Sequence, residues 1–272
     1  MVLLRCLRTA ALCAAVCFPA HAVTNAAPGV AAAYLVRIDG DTVWADAADR
    51  RLPPASLTKL MTALLIVQDY TPDAVTTVST RAAAATGSRL GLKAGERLRV
   101  GDLLAAALIG SANDACLALA EWSAGSEAKF VERMNQRTAG LGLTNTHFAN
   151  ACGFDAKGHY STAHDLARLA DEAMRATPIA DLVARIDLRL TDAEGRRNFH
   201  IRNRNALIGR YRGAIGVKSG YTAKAGTCVI ALAQRGDVRV LLVMLGGKNR
   251  WWDAHALLDR AFDHAAAEAH AR

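Results

Sequence analysis

The chain has 272 residues, 52% of them hydrophobic and 6% aromatic, and a formal net charge of +8 at pH 7. That is enough chain to bury a substantial core as one large domain or two small ones. Lys and Arg are scattered, and their densest group, Arg196 to Arg204, holds only Phe199 among them, so the charge points to steering toward an anionic surface or polymer and gives no nucleic-acid footprint.

Residues 1–22 read as an address. Arg5 and Arg8 precede an apolar run from Thr9 to Phe18, and Pro19-Ala20-His21-Ala22 ends in an A-x-A pattern. This is the layout of a secretory signal peptide cut after Ala22, with an apolar run too short for a membrane span. Export would leave a periplasmic, soluble protein. Its charge would be +6 once both leader arginines are removed.

Ala31 to Ile38 reads as a strand, Asp39-Gly40-Asp41 as a turn and Thr42 to Ala47 as the returning strand. In "PPASLTKLMTALL", Pro53 and Pro54 disfavour helix before Ser56, and Leu57, Leu60, Met61, Leu64 and Leu65 then recur at helical period. A helix is therefore expected from Ser56. Helical patterns continue from Val100 to Arg185, with Thr162 and Asp165 as a capping box. Ala214 to Gly220, Thr227 to Gln234 and Val238 to Leu245 read as strands, the last two joined by Arg235-Gly236-Asp237, and an amphipathic helix follows from Arg250. The order is α+β. It predicts one antiparallel sheet built from both chain ends, an all-helical lobe from the middle, and a site in the cleft between them.

Cys116, Cys152 and Cys228 remain after the leader. An odd number argues against a disulfide framework; one pair is possible, but apolar surroundings favour buried free thiols. No H-x-x-x-H or paired C-x-x-C occurs, and His159 and His164, five apart, do not share a helix face. Neither a metal nor a cofactor is expected.

Ser56 and Lys59 lie one helical turn apart, so their side chains can meet. The plain reading of a lone S-x-x-K is an N-cap serine and a solvated lysine. Two further motifs change that: Ser111-Ala112-Asn113 in "LIGSANDACLALAE" and Lys218-Ser219-Gly220 in "GVKSGYTAKAGTC". In this order the three resemble the motif set of β-lactamases and penicillin-binding proteins. With "RLGLKAGERLRVGDLLAAALIGSANDA" and "GHYSTAHDLARLA", the chain looks like a low-molecular-mass penicillin-binding protein of the D-alanyl-D-alanine carboxypeptidase family.

The resemblance implies a β-lactamase/transpeptidase-like fold over residues 23–272 as one penicillin-binding peptidase domain of two lobes. It implies a serine peptidase that acts on peptidoglycan stem peptides and is acylated by penicillins and other β-lactam antibiotics. The catalytic set would be Ser56, Lys59, Ser111, Asn113 and Lys218, with Ser219, Gly220, Tyr221, Thr222 and Arg250 binding substrate. Ser56 would be the nucleophile. Lys59 can serve as its base if burial and the charge of Lys218 depress its ammonium form. Ser111 would relay a proton to the departing amine, and Asn113 would hold Lys59 and the substrate backbone. The N–H groups of Ser56 and Tyr221 would form the oxyanion site, and Arg250 would meet the substrate's terminal carboxylate.

Other readings are a DD-endopeptidase using the same acylation, a class A-like β-lactamase and a silent wall-binding protein. The one E-x-x-x-N segment between the last two motifs, Glu194 to Asn198, lies too near Lys218 for a lactamase layout. The tail "DHAAAEAHAR" has no apolar stripe wide enough for a membrane anchor, and no C-terminal β-domain is expected after Phe262.

Overall fold

The structure is a computed structural model, and it describes residues 25–69 and 71–271. The expected leader, 1–22, lies outside these residues.

The chain opens with strand β1 (Ala33–Ile38) and strand β2 (Asp41–Asp46), joined as the expected hairpin. Three long strands close the sheet from the other end of the chain: β7 (Ala214–Thr222), β8 (Gly226–Arg235) and β9 (Val238–Gly247). They pair antiparallel in the order β2-β1-β9-β8-β7, with β1 joined to β9 from Ala33↔Leu245 to Ile38↔Val240. The two chain ends thus form one five-stranded sheet, as expected, and β7 is an edge strand.

β8 and β9 read as continuous apolar runs because both faces of the sheet are covered. Along them the side chains alternate with period two. Val229, Ala231, Ala233, Val240, Leu242 and Met244 pack with Ala254, Leu257, Leu258, Ala261 and Phe262 of the last helix, α8 (Arg250–Ala271). Cys228, Ile230, Leu232, Leu241, Val243 and Leu245 face the larger core of the helical lobe.

That lobe is built around α1 (Lys59–Gln68), in which every residue from Lys59 to Ile66 is buried. Around it stand α2 (Thr80–Ala83), α3 (Val100–Ile109), α4 (Asn113–Ala124), α5 (Glu127–Gly140), α6 (Ala163–Arg175) and α7 (Thr177–Val183). The Thr162 hydroxyl caps α6 by accepting from the Asp165 N–H. The reciprocal half of the box is absent, because the Asp165 carboxylate accepts instead from the Asn145 N–H and the Thr146 hydroxyl.

Between Val100 and Arg185 the named elements are all helices, as expected, and two small two-stranded sheets flank that stretch: β3 (Val75–Thr77) with β4 (Arg97–Arg99) before it and β5 (Asp187–Thr191) with β6 (Asn198–Arg202) after it. The arginine group at 196–204 belongs partly to β6, where Phe199 and Ile201 point inward and Asn198, His200 and Arg202 outward. Residues 141–162 form an extended loop region whose turn formers, Gly142, Asn145, Asn150, Gly153 and Gly158, break the helical pattern.

Candidate active site

The α-helix starts at Lys59, three residues later than expected; Ser56 lies in a 3-10 turn, Ala55–Thr58, that leads into it. The Leu57 N–H donates to the Pro54 carbonyl at 3.2 Å, and the Thr58 hydroxyl to the Ala55 carbonyl at 2.8 Å. With three residues per turn, side chains at i and i+3 eclipse. Lys59 Nζ therefore stands over Ser56 Oγ, 3.1 Å away.

Lys59 is 1% exposed. Besides Ser56, its amine donates to Asn113 Oδ1 at 2.7 Å and to the Cys152 carbonyl at 2.6 Å. All three partners are uncharged, so nothing in direct contact compensates a buried ammonium, and a neutral amine satisfies all three by donating to Asn113 and Cys152 and accepting from the Ser56 hydroxyl. Burial is the main reason the Lys59 amine loses its proton far more readily than an ordinary lysine; the Lys218 charge adds to it, and Asp114 opposes both.

The second motif turns into α4 at Ser111, whose φ of +57° is unusual for a residue with a side chain. Asn113 spends one amide N–H on the Thr86 carbonyl at 2.7 Å, and its backbone N–H on Ser88 at 2.7 Å. Next to it the Asp114 carboxylate accepts from the N–H groups of Leu90, Gly91 and Leu92 at 3.0, 2.8 and 3.0 Å. The start of α4 thus fixes both Lys59 and the loop that walls the cleft.

The third motif lies on β7. Lys218, also 1% exposed, donates to Ser111 Oγ at 2.9 Å and to the Ser219 carbonyl at 3.0 Å. Gly220 is required by close packing: a Cβ there would lie 2.8 Å from Ser56 N and 3.0 Å from Ala55 Cβ. The β7 backbone therefore passes directly beside the backbone of Ser56.

These elements enclose a cleft of about 360 Å³ lined by Ser56, Gly87, Ser88, Ser111, Arg204, Ser219, Gly220 and Tyr221. The structure thus gathers eight of the ten expected site residues. Two roles differ in detail. Ser219 turns its hydroxyl to the Arg204 carbonyl at 3.1 Å, and Thr222 donates to Asp155 Oδ1 at 2.6 Å, outside the cleft lining. Arg250 is the first residue of α8, but its side chain lies outside the described part of the structure. Glu194 is engaged by Arg97 and Arg196 and does not line the cleft.

The expectation of buried free thiols is corrected: Cys116 and Cys152 form a disulfide, and Cys228 lies buried in the sheet, apart from that bridge. The bridge joins α4, which carries Asn113, to the loop whose Cys152 carbonyl accepts from Lys59. Oddness of the cysteine count could not reveal this, because one bridged pair plus one further cysteine also gives three.

Three contributors to the site were not legible. The Cys152 carbonyl is a backbone group with no sequence signal. Gly153 packs so tightly that a Cβ would lie 2.0 Å from the Ala55 carbonyl oxygen. His159 is buried behind the 3-10 turn, with Nε2 2.8 Å from Thr58 Oγ1 and Nδ1 accepting from the Ala149 N–H at 2.9 Å. Since the Thr58 proton goes to Ala55, the ring must be neutral with its proton on Nε2. Burial pushes its pKa down to about 4.

Comparison with known proteins agrees with this geometry. The family profile described as D-alanyl-D-alanine carboxypeptidase matches residues 21–249. The chain is 37% identical over 240 residues to D-alanyl-D-alanine carboxypeptidase DacF of Bacillus subtilis, covering 85% of this chain and 61% of that protein. It is 36% identical over 242 residues to DacC of Escherichia coli, covering 83% and 59%. The chain thus spans about three fifths of the length of these curated relatives. The D-alanyl-D-alanine carboxypeptidase of Streptomyces sp. strain K15 is 31% identical over 264 residues, which cover 90% of this chain and 91% of it. Among solved structures, the Streptomyces K15 DD-transpeptidase superposes with a TM-score of 0.80 at 28% identity, covering 86% of this chain and 97% of the other. A penicillin-binding protein homolog from Mycobacterium tuberculosis superposes with a TM-score of 0.82 at 29% identity, covering 89% and 95%. By sequence and by fold, the chain belongs to the D-alanyl-D-alanine carboxypeptidase family.

Proposed function

We propose that the protein is a serine-type D-alanyl-D-alanine carboxypeptidase that removes the terminal D-alanine from peptidoglycan stem peptides and is acylated by penicillins. The observation that carries this reading is the Lys59 amine, buried among uncharged acceptors and 3.1 Å from Ser56 Oγ. A lysine held neutral beside a serine hydroxyl is a general base in position.

Ser56 Oγ attacks the carbonyl between the two D-alanines as Lys59 takes its proton. Negative charge then develops on the carbonyl oxygen, where the N–H groups of Ser56 and Tyr221 receive it; such a donor is worth about 3 to 4 kcal/mol. Collapse expels D-alanine, whose amine takes, by way of the Ser111 hydroxyl, the proton that Lys59 removed from Ser56, so that Lys59 is neutral again. The acyl group remains on Ser56 until water, activated by Lys59, releases it. Because β7 is an edge strand, a substrate can lie along it as an added strand. Gly220 keeps that strand close to Ser56, and Arg250 meets the terminal carboxylate.

We read residues 1–22 as the leader that exports the protein to the periplasm. The Cys116–Cys152 disulfide supports an oxidising compartment. Among the described residues, no helix is long and apolar enough to cross a membrane.

The test is twofold. Mass spectrometry after exposure to a β-lactam should place the adduct on Ser56, and a pentapeptide ending in D-alanyl-D-alanine should lose one D-alanine. An adduct elsewhere would overturn the site. Cleavage confined to cross-linked peptides would replace the carboxypeptidase by an endopeptidase.

A further inference from the structure

A second groove, of about 460 Å³, opens beside the cleft. Arg89 and Leu90 form one side, Gly110 and Ala112 the floor, and His200 to Arg204 the other side. The two spaces adjoin. Arg204 lines both, and the walls pass from Ser88 to Arg89 and from Ser111 to its neighbours Gly110 and Ala112.

The groove is firmly built. A Cβ on Gly110 would lie 2.7 Å from Ile201 Cγ2, so β6 packs tightly against the turn that carries Ser111. The Arg204 N–H donates to the Ile109 carbonyl at 3.0 Å. On the opposite side, the Asp114 carboxylate holds the Leu90 N–H.

Its charge is unbalanced. Arg97, Arg196 and Arg197, on the same side of the molecule, all pair with Glu194, Asp192 or Glu96. Arg89, Arg202 and Arg204 make no ion pair with a described residue. Asp187, across the β5–β6 ladder from Arg202, lies 3.2 Å from His200 Nε2. Three guanidiniums thus line a space that leads away from Ser56.

We propose that this groove is an anion subsite for the stem peptide, in which Arg89 and Arg202 receive a free carboxylate on the diamino acid that precedes D-alanyl-D-alanine. The inference rests on the peptidase reading. It makes the preferred substrate one whose third residue ends in an amino-carboxylate rather than in a bare ammonium, since the latter would add charge to a cationic groove.

The test uses two synthetic pentapeptides that differ only in a third residue of lysine or diaminopimelate. Each competes with a fluorescent penicillin for Ser56, and results are normalised to each variant's own acylation rate. The diaminopimelate peptide should compete about five- to tenfold better in the wild type. That advantage should vanish in an Arg89→Gln, Arg202→Gln double variant. Equal competition in the wild type, or an advantage that survives the double substitution, would overturn the subsite. Release of D-alanine is followed separately: a preserved preference without any release would sink the peptidase reading and leave the groove.

Discussion

The two walls of the cleft are built on opposite plans. On the helical side, Ser56, Lys59 and Asn113 sit on two helical starts tied to each other by side-chain hydrogen bonds, and Cys116–Cys152 bridges the second of them covalently to the loop whose carbonyl accepts from Lys59. On the sheet side, β7 is an edge strand whose Tyr221 is 65% exposed. The first wall is buried and braced, and the second offers open backbone. The difference supports the proposed division, with proton transfer on the wall that can shift a pKa and substrate binding on the wall that can pair with an incoming strand. The lysines mark the division. Lys59 meets only acceptors of the helical wall, whereas Lys218 reaches across from β7 to Ser111 and so joins the two.

The sharpest way to break this division is at Lys59. Lys59→Arg keeps a positive charge but cannot give up a proton near neutral pH. Acylation by penicillin should fall about 10²- to 10⁴-fold, nearly as far as in Lys59→Ala. Wild-type acylation by the arginine variant would make Lys59 an electrostatic anchor only.

The contact between the walls is tested by Gly220→Ala. The new methyl would meet the Ser56 N and the Ala55 Cβ, displacing the nucleophile relative to the strand. A misplacement approaching 1 Å costs on the order of 10²-fold in rate, so acylation should drop about tenfold or more while the far-ultraviolet spectrum is unchanged. Near-wild-type acylation would mean that the two backbones can separate without cost.

The covalent brace comes next. Reduction by a dithiol, or Cys116→Ser with Cys152→Ala, removes a cross-link 36 residues apart in sequence. The loss of stability should be about 2 to 4 kcal/mol in chemical denaturation. Acylation should slow several-fold, because the Cys152 carbonyl and Asn113 are then held less firmly around Lys59. Unchanged acylation with the expected loss of stability would confine the bridge to folding.

The smallest effect concerns His159. Its folded pKa, about 4, lies below the ordinary value of 6.5. The unfolded chain therefore binds a proton first as pH falls, and stability is lost from about pH 6.5 down toward pH 4. The loss should be on the order of 2 kcal/mol, and His159→Gln should flatten the profile between pH 6.5 and 5 in thermal melts. An identical pH profile in wild type and variant would show that the ring is not held neutral.

How far the sequence could be read follows the same contrast between walls. The five-stranded sheet was legible because alternation at both chain ends and the Arg235-Gly236-Asp237 turn specify pairing locally. The side chains that meet at the cleft, Ser56, Lys59, Ser111, Asn113 and Lys218, were legible because three short motifs fix them. The pieces that could not be read act through space. The β5–β6 hairpin hides in an arginine-rich stretch with only Phe199 and Ile201 as inward residues. The 3-10 turn before Lys59 depends on Gly153 and His159, about a hundred residues away, which leave it room and a hydrogen bond. The Cys116–Cys152 pairing depends on how loop 141–162 folds back over α4. None of these has a periodic signature.

The pH dependence of penicillin acylation tests the central claim most directly. The claim is that Lys59 is neutral where it meets Ser56. The second-order rate constant should rise with pH through a single ionisation well below 10.5, the ordinary lysine value, and reach a plateau, and that ionisation should be missing from the residual rate of Lys59→Ala. A rate that keeps climbing until pH approaches 10.5, or the same ionisation in wild type and variant, would contradict Lys59 as the base.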